Sequence, residues 1–262
     1  MDANLNFLDP KDRPSESLPS ASGPARTVAA VSSPCAMAVG ARELPDYLRD
    51  AYNWAYLDPR NVGLLDRDLV VSAILWGQHR GLQRAALAEL SRGSKVLQVA
   101  SVYGDFSPLL ARHVGPLGRL DVVDIAPIQV ANCGRKLRDL PWASARRGDA
   151  RRPGGGPFDA VCCYFLMHEL PESFKHEVVD GLLASVGVGG KVVFVDYHRP
   201  HWAHPLKPVM SLIFDALEPF AKSLWRNEIA DFANDKTAFD WRKETYFGGL
   251  YQKVVAERRS WT

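Results

Sequence analysis

The turn around residues 101–105 is the most informative part of this sequence for chemistry. Residues 95–107 read Lys-Val-Leu-Gln-Val-Ala-Ser-Val-Tyr-Gly-Asp-Phe-Ser, a short apolar run followed by the turn at which nucleotide-binding α/β domains carry glycines. Glycine lets the backbone approach a ligand closely, yet only Gly104 is present. Ser101, Val102 and Tyr103 instead bring side chains into the turn. The sequence therefore predicts the frame of a cofactor site with an altered lining.

Two acidic residues extend this candidate site. Asp124 follows Gly104 by 20 positions, the spacing at which an acid binds both hydroxyls of a ribose, although it also suits a cap for the next helix. Asp149, in Gly-Asp-Ala, fits an acid that accepts from an adenine amino group, and the same pattern is common in plain turns. The chain has no Gly-Lys-Ser/Thr sequence for phosphates. These residues indicate a nucleoside ligand without phosphates.

Alternating strand and helix signals from residue 95 onward predict an α/β fold with a mostly parallel sheet. The predicted strands cover 95–100, 119–124, 143–147, 158–165 and 191–197, and the helices between them cover 108–114, 127–138 and 173–186. Gly187-Val188-Gly189-Gly190 is predicted to end the last of these helices. Two final strands, 241–247 and 250–258, flank Gly248-Gly249 and predict an antiparallel hairpin that closes a seven-stranded sheet.

The remaining segments are predicted to be helical or disordered. Residues 1–43 are rich in Pro, Ser and Ala, which predicts disorder, and residues 44–92 form an N-terminal helical segment that covers the substrate. Within it, residues 66–90 predict a helix that Gly81 divides, with core spacing at Leu69, Val70, Ala73, Ile74, Trp76 and Gly77. Residues 93–262 form the cofactor-binding domain, and 201–235 insert a helical lid whose helix covers 205–225.

Composition excludes some classes of function. The 262 residues carry a formal charge of +2 and no basic stripe interleaved with aromatics, which argues against nucleic-acid binding. No apolar run approaches the roughly 20 residues that span a bilayer. The acidic N-terminus is not typical of a secretory signal. These features predict a cytoplasmic protein.

The ordered motifs resemble those of class I S-adenosylmethionine (SAM)-dependent methyltransferases, with quinone-biosynthesis methyltransferases the most similar kind. Residues 95–107 resemble their first motif with substitutions, and Val-Val-Asp-Ile, Gly-Asp-Ala, Phe-Asp-Ala-Val and Gly-Val-Gly-Gly-Lys-Val follow in the expected order. The resemblance implies a Rossmann-like fold. Such enzymes usually have an acid where Gln98 stands and glycines where Ser101 and Val102 stand. The departures therefore surround the methionine end of SAM, whereas the ribose and adenine acids are kept.

This combination resembles the RquA family of rhodoquinone biosynthesis proteins. Further support comes from Tyr52-Asn-Trp-Ala-Tyr56, Ile74-Leu-Trp-Gly77 and Asp196-Tyr-His-Arg-Pro200 followed by His204-Pro205-Leu206. The resemblance implies conversion of ubiquinone to rhodoquinone, in which an amino group from SAM replaces a ring methoxy group, with manganese. The predicted SAM-binding residues are Gln98, Ser101, Tyr103, Gly104, Asp105, Asp124, Ile125, Asp149, Ala150 and Tyr164.

Histidines and acids follow the two strands at the same edge of the sheet. His168-Glu169 follow the fourth strand, and His198, His201 and His204 follow the fifth. Imidazole and carboxylate ligands suit manganese, so His168, Glu169, His198 and His204 are the predicted metal ligands. The predicted catalytic residues are His168, Glu169, His198 and Tyr103. Hydrogen bonding or stacking is the alternative role for these histidines, and plain packing is the alternative for Tyr103.

Two alternatives to quinone amination stay open. One is a conventional methyltransferase acting on a quinone precursor or another small molecule, and the other is a non-catalytic SAM-binding scaffold of a quinone-synthesis complex. An apolar helix over 205–225 is either plain core or a lid through which a polyprenyl quinone enters. The second reading predicts peripheral contact with the inner face of a bacterial inner membrane, with Lys207, Asp215, Glu218 and Lys222 facing water.

Overall fold

The strand signals form one seven-stranded sheet, which confirms the predicted α/β class. The computed structural model describes residues 44–51 and 65–260. The strands lie in the order β3-β2-β1-β4-β5-β7-β6, and only β7 is antiparallel to its neighbours. Their bounds are β1 Lys95–Val99, β2 Arg119–Asp124, β3 Ala143–Arg147, β4 Phe158–Tyr164, β5 Val186–Tyr197, β6 Phe239–Tyr246 and β7 Tyr251–Arg258.

Helices cover both faces of this sheet. Their bounds are α1 Asp46–Ala51, α2 Asp68–Ile74, α3 His79–Leu87, α4 Phe106–Val114, α5 Pro127–Leu137, α6 Glu172–Ala184 and α7 Lys207–Leu217, with short 3₁₀ turns at Met167–Glu169, Ala221–Trp225 and Ile229–Phe232. Side chains alternate along the strands, so Cys162 joins the core under α3, α4, α5 and α7, whereas Cys163 joins the core under α6. Burial on both faces explains why the central strands are apolar without alternation.

The predicted helix over residues 66–90 is two helices, and their boundary differs from the prediction. The chain breaks at Trp76 and Gly77, whose φ angles are +51° and +76°, and Gly81 lies inside α3. The expectation that α2 packs in the core is also wrong. None of its residues is buried, and Leu69 is 85% exposed. An apolar stripe at helical spacing thus marks a surface helix here rather than a core one.

Two other boundaries differ from the sequence predictions. The helix predicted over 205–225 ends at Leu217, because Pro219 follows, and a separate 3₁₀ turn completes the segment. The glycines at 187–190 do not end a helix but lie within β5, which begins at Val186. The predicted disorder of residues 1–43 and the aromatic run at 52–56 lie outside the described residues.

Candidate functional site

A cleft opens at the carboxyl ends of β1, β2 and β3. Asp124, the last residue of β2, lies in it and accepts hydrogen bonds from the backbone N–H groups of Ser101 (2.7 Å) and Ala126 (2.8 Å). Its carboxylate therefore joins the turn after β1 to the turn after β2. Burial raises the pKa of Asp124 to about 6, against the opposing effect of these N–H donors. An acid held in this way presents its remaining lone pairs to the cleft.

Two residues with unusual backbone conformations form the floor of the cleft. Ala100 follows β1 with a φ of +62°, and Phe165 follows β4 with a φ of +54°, in the left-handed region that favours glycine. Each donates its N–H at 2.8 Å to the next strand, Ala100 to Val123 and Phe165 to Val195. Sequence reasoning missed both residues, since neither residue type signals a positive φ. Such conformations concentrate at functional sites.

Asp149 lies at the far end of the cleft and is already bonded. The Arg151 side chain donates to its two carboxylate oxygens at 2.7–3.1 Å, and the Arg151 backbone N–H donates at 2.9 Å. The Arg151 guanidinium also stacks on the ring of Phe174 at 4.4 Å. A ligand amino group at Asp149 therefore shares the carboxylate with Arg151. Arg151 is a lining residue that the sequence analysis did not select.

Helix α1 crosses the cleft. The Tyr47 ring packs edge-to-face on Phe174 at 5.3 Å and on Phe220 at 6.3 Å, and it lines the cleft with Asp124 and Asp149. Burial and then the charges of Glu169, Asp149 and Asp124 raise the pKa of Tyr47 well above its ordinary value. Where α1 crosses the cleft, the free volume is only about 60 Å³. A more open space of about 460 Å³ lies beside α1. Tyr47 thus occupies space that a nucleoside needs.

A second, apolar cavity of about 520 Å³ adjoins the cleft. Val102, Phe165 and Glu169 line both spaces, so the two meet at these residues. Its other lining residues are mostly apolar and come from α2, α7 and the ends of β4 and β5: Leu65, Val71, Ala73, Ile74, Leu75, Trp76, Tyr103, Tyr164, His168, Tyr197, Met210, Ile213, Leu217 and Glu218. A ligand in the cleft and an apolar molecule in this cavity would touch one another.

His168 is the main titratable group of the apolar cavity. Its Nδ1 donates to Asp196 at 2.9 Å, and its Nε2 lies 3.9 Å from the Glu169 carboxylate. Burial disfavours the charged imidazole, but the charge and hydrogen bond of Asp196 outweigh it and raise the pKa of His168 to about 9. His168 is therefore an imidazolium at neutral pH. Such a group donates a proton or a hydrogen bond.

The four predicted metal ligands do not converge in the structure. His198 donates through Nδ1 to the Gly249 carbonyl at 2.9 Å, with Nε2 3.4 Å from Lys243, and the His204 ring packs on Phe247 at 5.3 Å. Only His168 and Glu169 lie together in the apolar cavity. The separation follows from the loop after β5, which carries His198 and His204 to the β6–β7 turn.

A different set of potential ligands converges among residues 44–51 and 65–260. His79 Nε2 lies 3.6 Å from Asp105 and 3.9 Å from Asp68. The Arg80 guanidinium bonds to both carboxylates, at 2.7 Å to Asp105 and 2.5 Å to Asp68. The Arg80 guanidinium therefore bridges the two carboxylates, and the arrangement is an ion-pair cluster rather than an open set of ligands.

The other residues predicted to bind SAM line the cleft, line the apolar cavity or support the turn after β1. Ser101, Ile125 and Ala150 line the cleft, and Tyr103 and Tyr164 line the apolar cavity. Gln98 is fully buried under the turn and donates to the Ala100 carbonyl at 2.9 Å. Gly104 faces away, where its N–H donates to Asp66 at 2.9 Å, and Asp105 accepts from Gln83 at 2.8 Å. Gln98, Gly104 and Asp105 thus hold the turn rather than line the cleft.

Solved structures of SAM-dependent methyltransferases share this architecture. A SAM-dependent methyltransferase from Aquifex aeolicus has a TM-score of 0.51 at 17% identity, over 77% of this chain and 98% of its own. Human N-acetylserotonin methyltransferase, solved in complex with SAM, has a TM-score of 0.57 at 13% identity, over 86% of this chain and 66% of its own. A TehB-like SAM-dependent methyltransferase from Corynebacterium glutamicum has a TM-score of 0.51 at 15% identity, over 77% of this chain and 100% of its own.

These likenesses show that the chain has the class I SAM-dependent methyltransferase fold, as predicted. No protein-family model matches the chain, and no curated protein matches its sequence.

Proposed function

We propose that this protein is a SAM-dependent transferase that converts ubiquinone to rhodoquinone, as the resemblance to the RquA family implies. The observation that carries the proposal is the junction of the cleft that holds Asp124 and Asp149 with the apolar cavity, at Val102, Phe165 and Glu169. A quinone ring in the apolar cavity would meet the reactive end of SAM there. The donor nitrogen forms a bond to the ring carbon, and the ring C–OCH₃ bond breaks with release of methanol. The N–Cα bond of the donor then breaks by elimination: its electron pair stays on nitrogen, which takes up a proton, while the donor loses a Cβ proton and leaves as an alkene.

The cleft supports SAM as the cofactor. Asp124 and Asp149 lie along it at the ends of β2 and β3, in the order that ribose and adenine need. Gln129 also lines the cleft, and within the described residues its buried Oε1 has no hydrogen-bond partner. SAM supplies the amino group of its methionine part to the reaction.

The altered turn supports amino transfer. Val102 lies at the junction of the two spaces, where the related enzymes carry glycine, so its side chain narrows the place of the methionine part. Ala100 keeps the left-handed backbone of a glycine turn. A changed lining at the amino-acid end of the cofactor is expected if that end, rather than the methyl group, reacts.

His168 and Glu169 are the residues proposed to act on the quinone. The His168 imidazolium, oriented by Asp196, donates a hydrogen bond to a quinone oxygen as charge develops there. Glu169, at the junction, accepts the proton that the attacking amino group loses. Tyr103, whose hydroxyl accepts a hydrogen bond from Gln129 at 3.0 Å, lines the apolar cavity.

The described residues do not fit the manganese site that the resemblance implies. Two of the four predicted ligands, His198 and His204, lie elsewhere, at the β6–β7 turn. We therefore assign no step to manganese, and the test below includes the metal only as a variable.

Conventional methyl transfer is the second candidate, and the fold of the solved methyltransferases favours it. The same junction would then bring the SAM methyl group to a nucleophile in the apolar cavity. A non-catalytic scaffold is the remaining alternative, in which SAM binds without reaction.

One experiment separates the three. Purified protein is incubated anaerobically with ubiquinone and SAM labelled with ¹⁵N at the amino group, with and without manganese, and the quinone is analysed by mass spectrometry. The proposal expects replacement of methoxy by a labelled amino group. Gain of a methyl group indicates the conventional methyltransferase, and an unchanged quinone with SAM bound indicates the scaffold. The Glu169→Gln variant is a control, since it should bind SAM and lose amination.

A further inference from the structure

Large apolar side chains are exposed on the two helices that line the apolar cavity. On α2, Leu69 is 85% exposed and Ile74 is 50% exposed, and on α7, Leu212 is 70% exposed. Trp76 joins the two helices, since its Nε1 donates to the Met210 sulfur at 3.3 Å. We call this patch the α2–α7 surface, and it consists of Leu69, Ile74, Trp76, Val209, Leu212 and Leu217. Ile74, Trp76 and Leu217 line the cavity, and the other three lie on the two helices that form its wall. Exposed apolar side chains on neighbouring elements differ from the scattered apolar residues of an ordinary surface.

Helix α7 is apolar on both faces. Met210 and Phe214 are buried against the core. The opposite face carries exposed Pro208, Val209, Leu212 and Ala216, with Asp215 as its charged residue. The outer face of a surface helix is normally polar, and a helix that is apolar all round is covered by something. The residues of α7 that pack against the core are therefore only part of its apolar surface.

Charges of both signs surround this surface, and Glu218, directly after α7, lines the apolar cavity. The acids on the two helices are paired with cations: Asp68 bonds to Arg80 at 2.5 Å, and Asp215 bonds to Lys222 at 2.6 Å. Arg67, just before α2, is exposed, and Lys207, at the start of α7, is half-buried. Within the described residues neither has an acidic partner. These two cations are available to an anionic partner.

We propose that the α2–α7 surface binds the interface of an anionic phospholipid bilayer, with the apolar cavity open to the lipid. Apolar helices flanked by Lys and Arg bind membranes in this way, their apolar side chains entering the acyl region and their cations contacting headgroups. No helix within the described ranges is long and apolar enough to cross a bilayer. The role of the cavity as the entry for a lipid-soluble quinone rests on the proposed function, whereas the docking surface does not.

Vesicle co-sedimentation of the full chain tests the proposal. The vesicles contain phosphatidylcholine alone or phosphatidylcholine with phosphatidylglycerol, and no quinone or SAM is added. The disrupted variant is Leu69→Ser with Leu212→Ser, two exposed residues that do not line the cavity. The matched control is Leu117→Ser, since Leu117 is 92% exposed in the turn between α4 and β2. The charge variant is Arg67→Gln with Lys207→Gln.

We expect the native chain to bind the anionic vesicles at least tenfold more tightly than the double Ser variant, with the Leu117→Ser variant unchanged. The charge variant should lose affinity for anionic vesicles only. Equal partition of the native chain and the double Ser variant overturns the proposal. A native dimer that the double Ser variant converts to a monomer, without vesicle binding, also overturns it and assigns the surface to a second copy. Binding of S-adenosylhomocysteine by every variant reports separately on the cofactor cleft, so failure of the proposed function is distinguishable.

Discussion

His168 and Asp196 are joined across the ends of β4 and β5 by a hydrogen bond of 2.9 Å, which points the other imidazole nitrogen toward Glu169 and the apolar cavity. The backbone N–H of Tyr197 also donates to Asp196, at 2.7 Å, so the carboxylate itself is held in place. This pair connects the sheet framework to the group proposed to act on the quinone. Its geometry depends on two adjacent parallel strands ending at the same edge.

Replacing His168 by Asn should lower kcat for quinone conversion by about 10²- to 10⁴-fold, the usual contribution of a positioned proton donor. Asp196→Asn should act through His168, because it lowers the fraction of His168 that is protonated at neutral pH. The loss of kcat in this variant should therefore become smaller as the assay pH is lowered. A matched control is His176→Asn on α6, whose imidazole bonds to the Phe232 carbonyl instead. Equal rates for His168→Asn and His176→Asn would exclude the proposed role of His168.

Cofactor affinity should fall in acid because of Asp124. Its pKa is raised to about 6 by burial, from the ordinary 3.8, so the free protein holds this carboxyl protonated below about pH 6. Ribose hydroxyls donate to the charged form, and binding should therefore weaken by up to tenfold for each unit of pH below about 6. Isothermal titration with S-adenosylhomocysteine from pH 5 to 8 measures this. Asp124→Asn should bind weakly at every pH, and a pH profile identical to that of the native chain would contradict the assignment.

The same carboxyl affects stability with a defined sign. A raised pKa in the folded state means that the folded chain holds the proton more tightly than the unfolded chain. Its stabilising contribution is present in full below about pH 3.8 and is lost as the pH rises through about 6. Removal of this effect in Asp124→Asn should show as a flatter dependence of the free energy of unfolding on pH in that range.

Tyr47→Ala should tighten binding of S-adenosylhomocysteine, because the Tyr47 side chain fills part of the cleft between Asp124 and Asp149. Removing the ring spares the free energy needed to displace it from Phe174 and Phe220, and a gain of about threefold to tenfold is expected. Tyr47→Phe keeps the ring and should bind as the native chain does. Weaker binding by Tyr47→Ala would instead show that Tyr47 contacts the cofactor.

Glu89→Gln should destabilise the fold by about 1–3 kcal/mol, because it removes the charge that pairs with Arg242 and with the buried Lys253 ammonium. Lys253 then keeps the more exposed Glu244 carboxylate, at 3.0 Å, as its charged partner. The hydrogen bond from Arg242 and, against burial, the bond from Lys253 lower the pKa of Glu89 to about 2. Its stabilising effect is therefore complete above about pH 4.5 and is lost as the pH falls through about 2. Chemical denaturation at pH 7 measures the change. Asp159→Asn, at a surface position, serves as the comparison, and equal effects would contradict the argument.

Strand positions were predictable from the sequence because buried parallel strands are short apolar runs between turns. The predicted bounds of β2 and β3 match the structure at both ends. Helix α2 was not predictable in the same way, because the apolar spacing of Leu69 and Ile74 indicates an apolar face without saying what covers it. Apolar residues at helical spacing indicate that one face of the helix is shielded from water. The same spacing arises whether that face packs against a core or contacts a lipid surface.

Part of the candidate site could be located from the sequence, and part could not. Asp124 ends a strand, so its place in the cleft follows from the topology alone. The pairing of Asp149 with Arg151 and the departure of His198 toward Gly249 depend on the paths of loops, which residue types do not fix. The positive φ angles of Ala100 and Phe165 could not be predicted either. Glycine is the residue that normally adopts such angles, and neither position carries glycine.

The ion pairs of Glu89 have a consequence for the order of events during synthesis. Glu89 precedes the first strand of the sheet, yet its partners Arg242 and Lys253 lie 153 and 164 residues later, in the last two strands. Until the ribosome releases the β6–β7 hairpin, Glu89 lacks both of these cations and β5 lacks its antiparallel neighbour β7. A nascent chain of this protein therefore depends on the β6–β7 hairpin to become protease-resistant, and a premature stop before β6 should leave a product that cellular quality control degrades.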